Sequence, residues 1–174
     1  MIVFVSRNGV VRIPDLFFLL WSLLSSMQIA VIGASECTGD EAEAAETAGY
    51  LLAGNHAVLL SGGRGGVMEA SCRGAREAGG VTVGILPGRD TGNPHLDVVI
   101  KSGLGIARNA VLVSSADAVI AVGGGHGTLS EIGMALKLGI PVFTVGSWDI
   151  PGVFPCTTPE EAVLMAVRAA RLSP

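Results

Sequence analysis

Charge is scarce in this chain. Asp, Glu, Lys and Arg make up 15% of its 174 residues and leave a net charge of −4. A protein of that sign lacks the overall electrostatic footprint of a nucleic-acid binder, although a single arginine can still hold one phosphate group. Aromatic residues are scarcer still, at 5%. They leave little to stack unpaired bases, which weighs against single-strand DNA as a partner. Cysteine is limited to Cys37, Cys72 and Cys156. An odd, scattered set without a CxxC pair reads as the reduced thiols of a cytoplasmic protein, not as a disulfide framework. His56, His95 and His126 lack metal-ligand spacing, so neither a metal nor a resident cofactor is expected.

Long hydrophobic runs are also missing. The longest, Leu16 to Leu24 after Arg7 and Arg12, is too short to span a bilayer, which takes about 20 apolar residues, so no membrane association is expected. The run resembles the basic and apolar regions of a signal peptide, but no A-x-A-like cleavage site follows it. Residues 1–26 therefore read as an N-terminal extension, with Met27 the favoured start, and residues 27–174 as one domain.

Apolar residues (49%) and glycine (25 residues) are plentiful. Clustered glycine marks backbone that turns sharply or approaches a ligand closely. From Met27 onward short apolar strands alternate with helical segments. That is the pattern of an α/β, Rossmann-like three-layer sandwich on a mostly parallel sheet. Strands are expected at 29–32, 57–60, 81–86, 98–100, 118–122 and 141–145, and helices at 40–53, 67–78, 105–114, 129–138 and 159–171. Residues 87–96, with two Pro and two Gly, form an irregular surface loop. Arg73, Arg76 and Glu77 have spacings that suit exposed ion pairs along one helix.

Two glycine loops each follow a strand and open a helix: Ser61-Gly62-Gly63-Arg64-Gly65-Gly66, and Gly123-Gly124-Gly125-His126-Gly127-Thr128. The first amides of a helix have no intrahelical partner, and the helix dipole is positive at that end. Where glycine removes the side chains, phosphate oxygens can reach those amides. In a doubly wound sheet such loops emerge on the ligand-binding edge, as does Gly33-Ala34-Ser35 after the first strand. Neither loop has the spacing of a Walker A or dinucleotide fingerprint. The expected phosphate or nucleotide contacts are Gly33, Ser35, Ser61, Gly62, Gly63, Arg64, Gly65, Gly66, Gly124, Gly125, Gly127 and Thr128. Thr128-Leu129-Ser130-Glu131 also has the spacing of a helix capping box. The same carboxylate, facing the ligand edge, could stabilise developing positive charge or position a water. The pattern leaves both roles open.

These loops, with Arg108-Asn109 between them, resemble the lonely-guy (LOG) superfamily, once labelled lysine decarboxylases. The nearest likeness is to the compact branch that includes molybdenum-cofactor carriers, and it covers essentially all of 27–174. The resemblance implies a homodimer that binds a nucleotide or related phosphorylated small molecule; the acidic balance and few aromatics add that no nucleic acid is expected as a partner. LOG enzymes hydrolyse the N-glycosidic bond of nucleoside 5′-monophosphates to free base and ribose 5-phosphate. Carried over from their P-G-G-x-G-T-x-x-E motif and Arg-Lys pair, the catalytic residues would be Glu131 and Arg108. Two positions depart from that pattern: Val122 precedes the second loop where the enzymes have Pro, and Asn109 stands where they have Lys. The alternative implied by the carrier branch is binding of a nucleotide or molybdenum cofactor without hydrolysis. Decarboxylation would need a Schiff-base lysine. The only lysines are the isolated Lys101 and Lys137, the latter late in a helix.

Overall fold

The computed structural model describes residues 27–172, and before them only the backbone of β1 (Phe4–Ser6) and β2 (Gly9–Val11), paired antiparallel. The expected extension with a start at Met27 otherwise falls outside the described residues. The remaining strands are β3 (Gln28–Gly33), β4 (Val58–Ser61), β5 (Thr82–Leu86), β6 (Val98–Lys101), β7 (Ala118–Val122), β8 (Val142–Val145) and β9 (Phe154–Cys156). They form one seven-stranded sheet in the order β6-β5-β4-β3-β7-β8-β9, and every pairing is parallel. The helices are α1 (Gly39–Gly54), α2 (Val67–Glu77), α3 (Arg108–Ser114, preceded by a 3₁₀ turn at Gly105–Ala107), α4 (His126–Leu138) and α5 (Pro159–Leu172).

Side-chain alternation along the central strands separates two cores. Ile29 and Val31 of β3, with Ala118, Ile120 and Val122 of β7, face the small residues of α1, α2 and α5. Ala30 and Ile32, with Val119 and Ala121, face Leu112, Val113, Ile132 and Ala135 of α3 and α4. Among the described residues three helices thus cover one face and two cover the other, and the second layer runs out before the sheet does. Val98 and Ile100 of edge strand β6, Leu104, Ile106 and Val111 around α3, and Leu138 of α4 remain exposed.

α1 and α2 meet backbone to backbone. A Cβ at Gly49 would lie 1.9 Å from the Ser71 carbonyl oxygen, and one at Gly74 2.0 Å from that of Glu46. The reciprocal glycines let the two crossover helices share one groove above β3 and β4. α1 starts on a capping box that the sequence reading passed over: the Thr38 hydroxyl accepts from the Glu41 amide, and the Glu41 carboxylate accepts from the Thr38 amide.

Several expectations change. β9 was not anticipated, because Phe154-Pro155-Cys156 is short and carries a proline that only an edge strand tolerates. The expected helix at 105–114 is α-helical only from Arg108. Arg73 and Arg76 do not pair along their helix. Arg73 makes a two-pronged bridge to Glu46 of α1, and Arg76 pairs with Asp97 before β6. Among the described residues no helix is long and apolar enough to cross a membrane.

Gly74→Ala is expected to destabilise the fold by about 2 kcal/mol or more, since the new methyl must push backbone apart. Gly54→Ala, where nothing lies within 4 Å, should be neutral or stabilising by about 0.5 kcal/mol. Chemical denaturation of the two variants checks both.

Candidate functional site

From β3 the chain winds outward through β4, β5 and β6, then returns to β7 on the other side of β3. The loops after β3 and β7 therefore diverge and open a crevice at the carboxyl edge of the sheet, the usual ligand position in such folds. A cavity of about 340 Å³ lies there. That is the low end of small-molecule sites, which span roughly 300–1,000 Å³. Gly33, Ala34 and Ser35 line it from the β3 loop, Gly62 and Arg64 from the first glycine loop, and Arg108, Asn109 and Leu112 from α3. Gly125, Gly127, Thr128 and Glu131 line it from the start of α4, and Ile32 and Met68 complete the wall.

The two glycine loops play unequal parts. α4 begins at His126 with Gly125 as its N-cap, and no side chain caps it. Its first-turn amides are therefore open by the geometry of a helix start, and Gly125, Gly127 and Thr128 put this turn on the cavity. The early start also rules out the Thr128–Glu131 capping box: Thr128 is already the third residue of the helix, and Glu131 lies in its second turn, buried on the inner face. The start of α2 faces elsewhere. Gly65 and Gly66 pack on the Ala34–Ser35 backbone, and the Val67 amide donates to the Ala34 carbonyl at 3.1 Å. Ser61 is buried beneath the loop, its hydroxyl accepting from the Gly63 amide and donating to the Met68 carbonyl. Of the expected contact residues, Ser61, Gly63, Gly65, Gly66 and Gly124 do not line the cavity, whereas Gly33, Ser35, Gly62, Arg64, Gly125, Gly127 and Thr128 do.

Gly62 has a specific task. A Cβ there would sit 2.2 Å from Arg108 Nη1 and 2.6 Å from Nη2. The guanidinium rests on bare backbone, with only 9% of the residue exposed. Nη1 is buried with no hydrogen-bond partner among the described residues. Its nearest counter-charge, Glu131 Oε1, is 3.9 Å away, beyond hydrogen-bond reach. Glu131 is itself only 6% exposed. Burial pushes its carboxyl up to about 7 against the lowering pull of Arg108. Burial also draws the Arg108 guanidinium below its ordinary value, Glu131 opposes that, and Arg64 adds to it. Such desolvated, mutually perturbed groups cluster at functional sites.

Neighbouring loops brace this wall, and the sequence reading did not find them. The Ser147 hydroxyl donates to the Gly123 carbonyl. The Trp148 indole N–H donates to the Gly125 carbonyl at 3.2 Å, and its ring lies 6.1 Å from that of His126. On the other rim, Asn93 donates to the carbonyls of Gly63 and Arg64 at 3.0 and 3.1 Å, and Asp90 pairs with the half-exposed Arg64 at 3.3 Å. The available signal was topological: both segments follow strand ends at the same sheet edge as the glycine loops. Neither Lys101 nor Lys137 lines the cavity.

The fold and this cavity define a Rossmann-like α/β protein of the superfamily that holds the LOG proteins and the molybdenum-cofactor carriers. Within it, the chain belongs to the SLOG cluster4 family, whose model matches residues 26–170. An uncharacterized protein of Archaeoglobus fulgidus is 48% identical over 139 residues, covering 79% of this chain and 92% of that protein. The molybdenum cofactor binding protein of Rippkaea orientalis is 36% identical, superposes with a TM-score of 0.77, and covers 82% of this chain and 96% of its own. The molybdenum cofactor carrier protein of Chlamydomonas reinhardtii is 32% identical at a TM-score of 0.77, covering 83% and 98%.

The raised Glu131 carboxyl has a consequence for stability. The folded state favours the protonated form, so stability declines as pH rises from the ordinary carboxylate range and levels off above about 7. The span amounts to about 3 kcal/mol. Urea denaturation at pH 5 and pH 8 should show wild type losing stability relative to Glu131→Gln, which lacks the titration. Parallel behaviour of the two proteins would contradict the assignment.

Proposed function

We propose that the chain is a binding protein for a phosphorylated heterocyclic small molecule, of the kind carried by the molybdenum cofactor carriers. The observation that carries this reading is the orphaned, buried Nη1 of Arg108 in the cavity wall, beside the uncapped start of α4. A buried donor without a partner costs roughly 1–3 kcal/mol, and more when charged, and an anionic ligand is the partner that would remove that cost. The molybdenum cofactor binding protein of Rippkaea and the carrier protein of Chlamydomonas support a molybdenum cofactor as cargo. The apolar floor of Ile32, Met68 and Leu112 suits a flat ring. The cavity's size suits one small molecule rather than a nucleic-acid strand, and the scattered thiols suit the cytoplasm.

A second reading is nucleoside 5′-monophosphate phosphoribohydrolysis. It is favoured by the place of Glu131, a carboxyl on the cavity wall beside the arginine. In that reaction a carboxylate stabilises the oxocarbenium-like sugar and guides water. The asparagine at 109, where the enzymes have lysine, weighs towards binding alone.

Mass spectrometry of small molecules released from the purified protein tests the binding reading. A phosphorylated heterocycle is expected from wild type. It should be lost, or retained at least tenfold less, in Gly62→Ala, whose methyl evicts the Arg108 guanidinium. Incubation with 5′-AMP separates the two readings: free adenine from wild type and none from Glu131→Gln would favour the hydrolase, and none from either would favour the carrier.

The reading includes a homodimer formed over the incomplete α3–α4 layer, supported by its exposed Leu104, Ile106, Val111 and Leu138. Sedimentation should give a dimer for wild type and a monomer for Ile106→Glu.

A further inference from the structure

Arg108 Nη1 and Glu131 Oε1 stand 3.9 Å apart and are not bonded to one another, and both residues are buried and line the cavity. One ligand oxygen placed ~2.8 Å from both would meet them at about a right angle, a good arrangement for receiving two hydrogen bonds. Arg108 can only donate. If that oxygen belongs to an anion, Glu131 can join only as the neutral acid, donating its own proton; ionised, it would be a second negative charge at contact distance.

We propose that this cavity takes up its anionic ligand together with one proton, which resides on the Glu131 carboxyl and is donated to the ligand oxygen held by Arg108. This rests on the reading of the site as an anion-binding cavity and adds its proton stoichiometry and the state of its carboxyl. Three features favour an anion over a hydroxyl at this point: the uncapped start of α4, the second guanidinium of Arg64 on the same wall, and the unpartnered Nη1.

Among the described residues the charged surroundings of Glu131 are few. Arg108 faces it from α3, and Arg64 acts through Arg108 from the first glycine loop. Its own helix carries His126 and Lys137, both exposed. The strands on which α4 packs, β3, β7 and β8, have no titratable side chain. Nothing else in this wall can accept the proton. Asp90 already pairs with Arg64, so with the carboxyl neutral an entering anion meets Arg108 unopposed, and with it ionised Glu131 sets a negative charge against that arginine. Since burial already carries this carboxyl to about 7, the binding constant must fall as pH rises above that value, by up to tenfold per pH unit.

The test uses inorganic sulfate, whose charge is constant from pH 6 to pH 9, so that any proton uptake belongs to the protein. Calorimetric titration of the full chain in two buffers of different ionisation enthalpy gives both affinity and protons taken up. For wild type the account predicts uptake approaching one proton per sulfate at pH 8 and affinity falling between pH 7 and pH 9. For Glu131→Gln, whose amide donates at every pH, it predicts no uptake, a flat profile, and tighter binding than wild type at pH 9. Sulfate binding to wild type with no proton uptake and a flat profile would overturn the proposal alone and point to a hydroxyl at this position. Absence of sulfate binding at every pH in both proteins would overturn it together with the anion-site reading.

Discussion

An arginine has been taken out of water here without being given a full set of partners. Arg108 sits on bare backbone at Gly62, turned inward from the first residue of α3, with its carboxylate neighbour too far away to bond. Removing a guanidinium from solvent costs several kcal/mol, and a distant, partly neutral carboxyl repays little of it. The surrounding structure holds the arrangement in place. The parallel sheet fixes where β4 and β7 end, the layer of α3 and α4 fixes the two side chains that meet, and the Asn93 and Trp148 loops stop the glycine segments from relaxing onto them. A strained, under-satisfied group persists only where its frame over-determines it.

Most of the frame was legible in the sequence because strand alternation and helix punctuation are local signals. The β3 and β7 runs, the helix ending at Gly54-Asn55 and the loops after Ser61 and Val122 all lie where composition put them. What depends on contacts between distant segments was not legible. The pattern Thr128-x-x-Glu131 is compatible with a cap, and only a helix that starts three residues early turns the same glutamate into a buried wall residue. Gly49 and Gly74 look like ordinary weak points in helices until the two helices are seen to touch through them. The first glycine loop looked like an amide cradle. Its glycines instead make room, for the β3 loop on one side and for the Arg108 guanidinium on the other.

That division of labour shapes the functional reading. A cavity with one open helix start, two guanidinium groups and one carboxyl of raised proton affinity is suited to holding an anion. Near neutral pH that carboxyl is divided between its two forms, a hydrogen-bond donor when protonated and a base when ionised. The orphaned guanidinium and the uncapped start of α4 carry the anion-site reading, and the carrier relatives support it separately.

The most direct test is a crystal structure of the protein grown with tungstate, a heavy tetrahedral oxyanion that is easily located. The account predicts the anion in the crevice between the β3 and β7 loops, with an oxygen within hydrogen-bond distance of Arg108 Nη1 and others on the first-turn amides of α4. A structure in which Nη1 instead bonds a protein carbonyl or turns to solvent, with the anion absent from this crevice or seated at the start of α2, would contradict it.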